Sequence, residues 1–264
     1  MFLKEQVTVF DGNGKKTVED LVAVEEPLSL LLNGKPLYMT MRNPGSDVAL
    51  AAGYCYTEGI IRSMDDLQSI SQCDDSPDRN IVRILVNPES EARAAAARSR
   101  AGRIVYSSCG LCGETAIKEN IDLPPRPSRM RTSFSRLLAC AERLSREQRL
   151  FPKTGAAHAA ACFNDRHELV SFAEDVGRHN ALDKAVGKAV LQQDAARHIG
   201  LIILSSRVSF EMVLKALRTG AEIIAGVSAP TTLAIRLARE SNMTLVGFLR
   251  GTRFNVYCGA ERFE

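Results

Sequence analysis

Two cysteines stand at a spacing that does chemistry. Cys109 and Cys112 form a C-x-x-C frame inside Ser107-Ser108-Cys109-Gly110-Leu111-Cys112-Gly113-Glu114. Four chemistries use such a frame. One is half of a zinc site, but Zn²⁺ takes four ligands, usually from a second C-x-x-C or a His pair. Here Cys55, Cys73, Cys140, Cys162 and Cys258 are each isolated. The second is a thioredoxin-like redox dithiol, which follows a strand and opens a helix; this frame lies mid-chain beside a Pro-rich stretch. The third is a pair of structural thiols acting as small hydrophobes, although the flanking Gly and Ser residues suit an exposed loop. The fourth is a nucleophilic or carrier thiol. A thiolate attacks sulfur by exchange, and glycines let it approach a partner's backbone closely. If residues 114–119 begin a helix, its dipole lowers the thiol pKa.

The composition narrows the setting. The chain has 264 residues, 45% of them hydrophobic and 25% charged, so it can bury a core without disulfides or a structural metal. An odd, scattered set of seven cysteines does not make a secreted disulfide framework. Apolar runs such as Leu28 to Leu32 fall far short of the roughly 20 residues of a spanning helix. The N-terminus carries charge where a signal peptide would need an apolar run. The expectation is a reduced, cytoplasmic protein. A pI near 8.5, no tryptophan and 6% aromatics argue against a dedicated nucleic-acid binder.

The elements that must position these residues follow from local patterns. Asn33-Gly34 between two apolar runs predicts a hairpin. Ser46 or Asp47 is placed to cap a short buried helix over 48–59. Residues 81–86 read as a strand, and 89–103 as an exposed helix or mobile connector. Leu123-Pro124-Pro125-Arg126-Pro127-Ser128-Arg129 is a basic linker that cannot continue a helix. Beyond Phe151 strands and helices alternate. Strands are predicted at 159–163, 168–172, 201–204, 223–227, 245–248 and 254–257. Helical stripes run through Leu182 to Val190, through Phe210 to Leu217 with Gly220 closing, and from Pro230 through Ala238. This order predicts a mostly parallel sheet with helices on both faces. The chain divides into a β-rich N-terminal subdomain (1–105), a mobile Cys-Gly-Leu-Cys-Gly loop with the Pro-rich linker (106–135), and an α/β domain (136–264).

At the cysteine motif the sequence resembles the FdhD family of formate dehydrogenase accessory sulfur carriers. Further stretches carry the resemblance: Asn33-Gly34 with Glu58-Gly59-Ile60-Ile61, Glu174-Asp175-Val176-Gly177-Arg178-His179-Asn180-Ala181-Leu182-Asp183-Lys184, Ser206-Arg207-Val208-Ser209-Phe210-Glu211-Met212, and Gly247-Phe248-Leu249-Arg250. The resemblance as a whole runs over roughly residues 25–257. The resemblance implies a sulfurtransferase that takes persulfide sulfur from a cysteine desulfurase and passes it to the molybdenum cofactor, bis-molybdopterin guanine dinucleotide, for formate dehydrogenase. Cys109 would then bear the persulfide, and Cys112 would assist transfer. Phe248, Leu249, Arg250, Gly251, Thr252 and Arg253 would bind the cofactor. Arg178, His179, Asn180 and Arg207, at helix starts, are further candidates. A homodimer is implied, and a cofactor chaperone that handles no sulfur is the alternative.

The same resemblance implies a cytidine-deaminase-like mixed sheet flanked by helices, without the deaminase zinc site. Deaminases carry H-x-E at one helix start and P-C-x-x-C at the next. Here Ala181 stands where the glutamate would be, and the helix near Ser206 to Ser209 has no cysteine, so no metal is expected. One departure from the family pattern is Thr154-Gly155-Ala156-Ala157-His158, where the family usually has Thr-Gly-Gly-Thr-His.

Overall fold

The computed structural model describes residues 1–12, 14–72, 79–95, 125–192 and 199–264. Cys109 and Cys112 lie outside the described residues, as do Cys73 and most of the 106–135 segment.

The N-terminal part opens with β1 (Phe2–Asp11) and β2 (Gly14–Ala23), an antiparallel ribbon on its own. Next comes a four-stranded sheet in the order β4-β3-β6-β5, from β3 (Glu26–Leu32), β4 (Lys35–Arg42), β5 (Leu67–Gln72) and β6 (Ile81–Val86). The Asn33-Gly34 hairpin forms as expected, with φ of 48° and 76° at its two turn residues. Asn33 also ties the turn to β6, accepting from Val86 N at 3.0 Å.

Helix α1 (Asp47–Thr57) is buried on nearly every side. Its weak amphipathicity has a simple cause: it is sandwiched between two layers. One face packs on Leu28, Leu30, Val82 and Ile84 of the four-stranded sheet. Ser46 takes the N-cap position at φ 57° but its side chain makes no capping bond. Asp47 is held elsewhere: its carboxylate takes two hydrogen bonds from Arg42, at 3.0 and 2.8 Å. Residues 88–95 are helical and add Ala94 to this core.

The second part contains α2 (Phe134–Glu147), α3 (Phe151–Thr154), β7 (His158–Phe163), β8 (Leu169–Asp175), α4 (Arg178–Leu191), β9 (Leu201–Leu204), α5 (Phe210–Thr219), β10 (Ile223–Gly226), α6 (Thr232–Glu240), β11 (Thr244–Arg250) and β12 (Arg253–Cys258). The sheet order is β12-β11-β10-β9-β7-β8. Only the β9–β10 and β10–β11 pairings are parallel. The sheet is therefore mixed, and the mostly parallel arrangement expected from strand–helix alternation is corrected. β7–β8 and β11–β12 are joined by short turns, and hairpins must be antiparallel. α6 starts two residues later than Pro230 suggested: Thr231 is the cap, accepting from Ala234 N at 3.4 Å.

Alternate strand residues face opposite sides. Ala160, Cys162, Ile202, Leu204, Ile224 and Leu245 face α4, α5 and α6. Ala161, Phe163, Leu201, Ile203, Ile223 and Val246 face α2. The N-terminal layer joins this body through α1 and α4. The backbones of Gly53 and Gly187 lie so close that a Cβ on Gly53 would meet the Asp183 carbonyl, and one on Gly187 the Ala49 carbonyl.

Candidate functional site

One edge of the six-stranded sheet collects most of the residues singled out in the sequence. β8, β9, β10 and β11 all end there, and β7, antiparallel to β9, begins there. In an open α/β sheet this is the end at which ligands bind. The loops are tied together by backbone bonds: Ser205 N to Ala159 O (2.9 Å), Thr231 N to Val208 O (3.0 Å) and Phe248 N to Ser228 O (3.1 Å). α4, α5 and α6 start at this edge, so the positive ends of three helix dipoles converge.

The Glu174–Lys184 stretch divides into framework and surface. Asp175 is fully buried; it pairs with Lys184 at 2.6 Å and accepts from Gly177 N at 2.9 Å. Lys184 donates to Asn43 O at 2.7 Å. Asn180 donates to Met41 O at 2.7 Å, so it is a structural link and not an open ligand. Asp183 on α4 faces Lys215 on α5, with both oxygens at 2.9 Å. Thr57 donates to Asp183 at 2.7 Å, and Glu58 pairs with Lys215 at 3.1 Å. Burial alone would lower the Lys215 pKa, but Asp183 and Glu58 outweigh it and hold the ammonium above its ordinary range.

Arg178 and His179 are half-buried. His179 Nε2 lies 2.6 Å from Glu211 Oε2. That bond is the main reason the Glu211 carboxyl lies below its usual range. Arg207 is exposed. The imidazole of His158 is held below its usual pKa by burial, then by the nearby Arg178 and Arg207 cations. Two buried polar atoms at this edge, Arg178 Nε and Ser209 Oγ, have no hydrogen-bond partner among the described residues. Such groups cost free energy unless a ligand or water meets them.

The Phe248–Arg253 segment forms the β11–β12 turn. Phe248 has φ 55°, a left-handed conformation that is rare for an aromatic residue and marks local strain. Arg250 and Arg253 are cross-strand partners beside Gly251 at φ 59°, and both are exposed with Thr252. The Arg250 guanidinium lies 5.7 Å from the Phe248 ring centre. Leu249 faces inward, 1% exposed, and packs in the α2-side core.

A cavity of about 570 Å³ opens at the same edge. The Gly155–His158 turn forms one wall, with Ala156 and Ala157 at the positions that depart from the family pattern. Thr154 Oγ1 braces this turn by accepting from Ala156 N at 3.2 Å. Val176, Ser205 and Val227 form the floor, and the end of α2 and Phe151 a second wall. Ala23, the last residue of β2, and Glu25, just before β3, close it. The sequence reading missed these last two walls. Among the described residues there is no group of three His, Cys, Asp or Glu able to hold a metal ion. The described cysteines are free but not activated: burial pushes Cys55 and Cys162 up to about 12 and Cys140 up to about 11. None of the helices among the described residues is long and apolar enough to cross a membrane.

The site and scaffold define a class: a mixed α/β protein with a largely apolar cleft at the strand ends, beside Arg178, Arg207 and the starts of three helices. Its match to a family model, the FdhD/NarQ family, runs over residues 23–264, and the chain belongs to that family. It is 42% identical to a Streptomyces coelicolor protein named "Sulfur carrier protein FdhD", covering 98% of this chain and 94% of the relative. It is 40% identical to a protein of the same name from Sulfolobus acidocaldarius, covering 99% and 98%. A Desulfotalea psychrophila crystal structure, described as a formate dehydrogenase accessory protein, superposes with a TM-score of 0.79 at 24% identity, over 100% of this chain and 99% of that one. At that identity the likeness speaks for the fold.

Proposed function

We propose that this chain is a sulfurtransferase that accepts persulfide sulfur from a cysteine desulfurase on Cys109 and delivers it to bis-molybdopterin guanine dinucleotide destined for formate dehydrogenase. The reading includes a cytoplasmic homodimer and a deaminase-type scaffold whose metal chemistry is gone. The observation that carries it is the sheet edge, where His158, Arg178 and Arg207 lie close enough to influence one another and two buried polar atoms await partners. Guanidinium groups and helix N-termini suit a phosphate-bearing ligand. The exposed Arg250 and Arg253 extend the positive surface, and Phe248 offers a ring. Family membership supplies the sulfur chemistry.

Loading is an exchange: the Cys109 thiolate attacks the outer sulfur of the desulfurase persulfide, and the desulfurase thiolate leaves. In delivery, Cys112 attacks Cys109, forming a Cys109–Cys112 disulfide and expelling the outer sulfur as hydrosulfide toward the cofactor. The two thiols supply the two electrons that reduce sulfane sulfur to sulfide. Intact-mass measurement after incubation with a desulfurase and cysteine tests loading. The expected result is a gain of one sulfur atom, removed by dithiothreitol and absent in Cys109→Ala. That variant should also leave formate dehydrogenase inactive in a strain lacking the natural gene. No mass gain alongside retained cofactor binding would replace this reading with a chaperone that handles no sulfur.

A further inference from the structure

The cavity holds a group that an anion site does not need. Among its lining residues only two titrate, His158 and Glu25. His158 sits beside two arginines and suits phosphate. Glu25 carries the opposite charge, is exposed, and makes no ion pair or side-chain hydrogen bond with the described residues. A carboxylate lowers affinity for an anionic ligand unless that ligand also offers hydrogen-bond donors.

The backbone that presents Glu25 is fixed on both sides. Asn43 Nδ2 donates to Val24 O at 2.7 Å, and Asn43 N donates to the buried Asp175 at 3.2 Å. Arg42, itself anchored on Asp47, reaches the Glu26 carbonyl at 3.4 Å. Glu25 is thus held from the same network that sets the start of α4. The intervening lining, with Ala23, Val176, Val227 and Phe151, is apolar and of a size to hold a flat base.

We propose that Glu25 is the specificity residue of this cavity and reads the Watson–Crick edge of guanine. This rests on the reading above, in which the ligand is a guanine dinucleotide. Guanine presents N1–H and the 2-amino group side by side, a pair of donors that matches the two oxygens of one carboxylate. Adenine places an acceptor at N1, which repels the carboxylate, and hypoxanthine lacks the 2-amino donor.

Calorimetric titration of the full chain with guanosine, inosine and adenosine diphosphates tests this. The expected order for the unaltered protein is guanosine, then inosine, then adenosine diphosphate. Glu25→Ala should weaken guanosine diphosphate by about 10- to 100-fold, the range for charge-assisted hydrogen bonds, and equalise the three nucleotides. Glu25→Gln, which keeps one acceptor, should fall between. Unchanged affinity of Glu25→Ala for guanosine diphosphate, with thermal melting confirming its fold, would overturn the role of Glu25 alone. Failure of the unaltered protein to bind any of the three would instead overturn the cofactor reading, and this inference with it. Free nucleotide and the nucleotide end of the cofactor share this chemistry. Displacement of bound guanosine diphosphate by cofactor released from a denatured guanine-dinucleotide molybdoenzyme supports both readings. Displacement by free nucleotide only would leave the guanine reading standing and remove the cofactor as ligand.

Discussion

Replacing Lys215 with methionine leaves the Asp183 carboxylate buried without its cation. Lys215 reaches both Asp183 oxygens at 2.9 Å, and side-chain exposure is 7% and 3% for the two partners. Removing one member of such a pair is strongly destabilising because the other charge stays buried. The loss is capped, because the folded protein can instead take up a proton on Asp183. Protonating a group whose ordinary pKa is 3.8 costs about 1.4 kcal/mol for each pH unit above that value. The expected deficit is therefore about 4 kcal/mol at pH 7 and about 1.6 kcal/mol at pH 5. The sign follows from a folded-state pKa raised above the unfolded one: stability is present at low pH and is lost as pH rises. For 264 residues, 4 kcal/mol corresponds to a fall in Tm of roughly 7 °C. The chain has no tryptophan, so urea unfolding is best followed by circular dichroism. The double variant Lys215→Met/Asp183→Asn should recover most of the loss, since the amide still takes the Thr57 bond. A deficit that does not shrink between pH 7 and pH 5, or a double variant no better than the single one, would refute the reasoning.

Two further outcomes follow from the packing and the histidines. Gly187→Ala should destabilise by about 3 kcal/mol in urea unfolding, because the new Cβ meets the backbone of α1, which cannot yield without moving the helix. At an open helical position the same change would instead stabilise by up to about 1 kcal/mol. Burial holds both His158 and His167 below their usual pKa, so the unfolded chain takes up protons first. Stability should fall as pH drops below about 6.5. Thermal melts of His158→Gln and His167→Gln across pH 5 to 7 should each show a flatter profile than the unaltered protein.

Local signals were legible and non-local ones were not. Asn33-Gly34 and the apolar runs at residues 81–86 and 201–204 mark strands because their neighbours are set by adjacent residues. The β1–β2 ribbon escaped notice because its residues are largely exposed on both faces, which erases the period-2 pattern. α2 had readable signs, Ser133 as its cap with Leu137, Cys140 and Leu144 at helical spacing, overshadowed by the Pro-rich stretch before it. Strand order is a matter of distant pairing, so the mixed sheet could not be read from alternation alone. Arg178 and His179 were legible as helix-start residues, whereas Arg207 lies three residues before α5 begins. That Glu25 shares a cavity with His158 was not, because only the fold brings together residues so far apart in the chain.

The contact at Gly53 and Gly187 also governs how such a protein can be taken apart. Where backbone rests on backbone there are no side chains to repack, so the orientation of the two layers has no intermediate settings. Relatives can exchange their first layers as interchangeable parts only if both glycines travel in register. A chimera that supplies one glycine and a bulkier residue opposite inherits two sound halves that do not seat, and the strand-end cleft, which draws walls from both, is what it loses first.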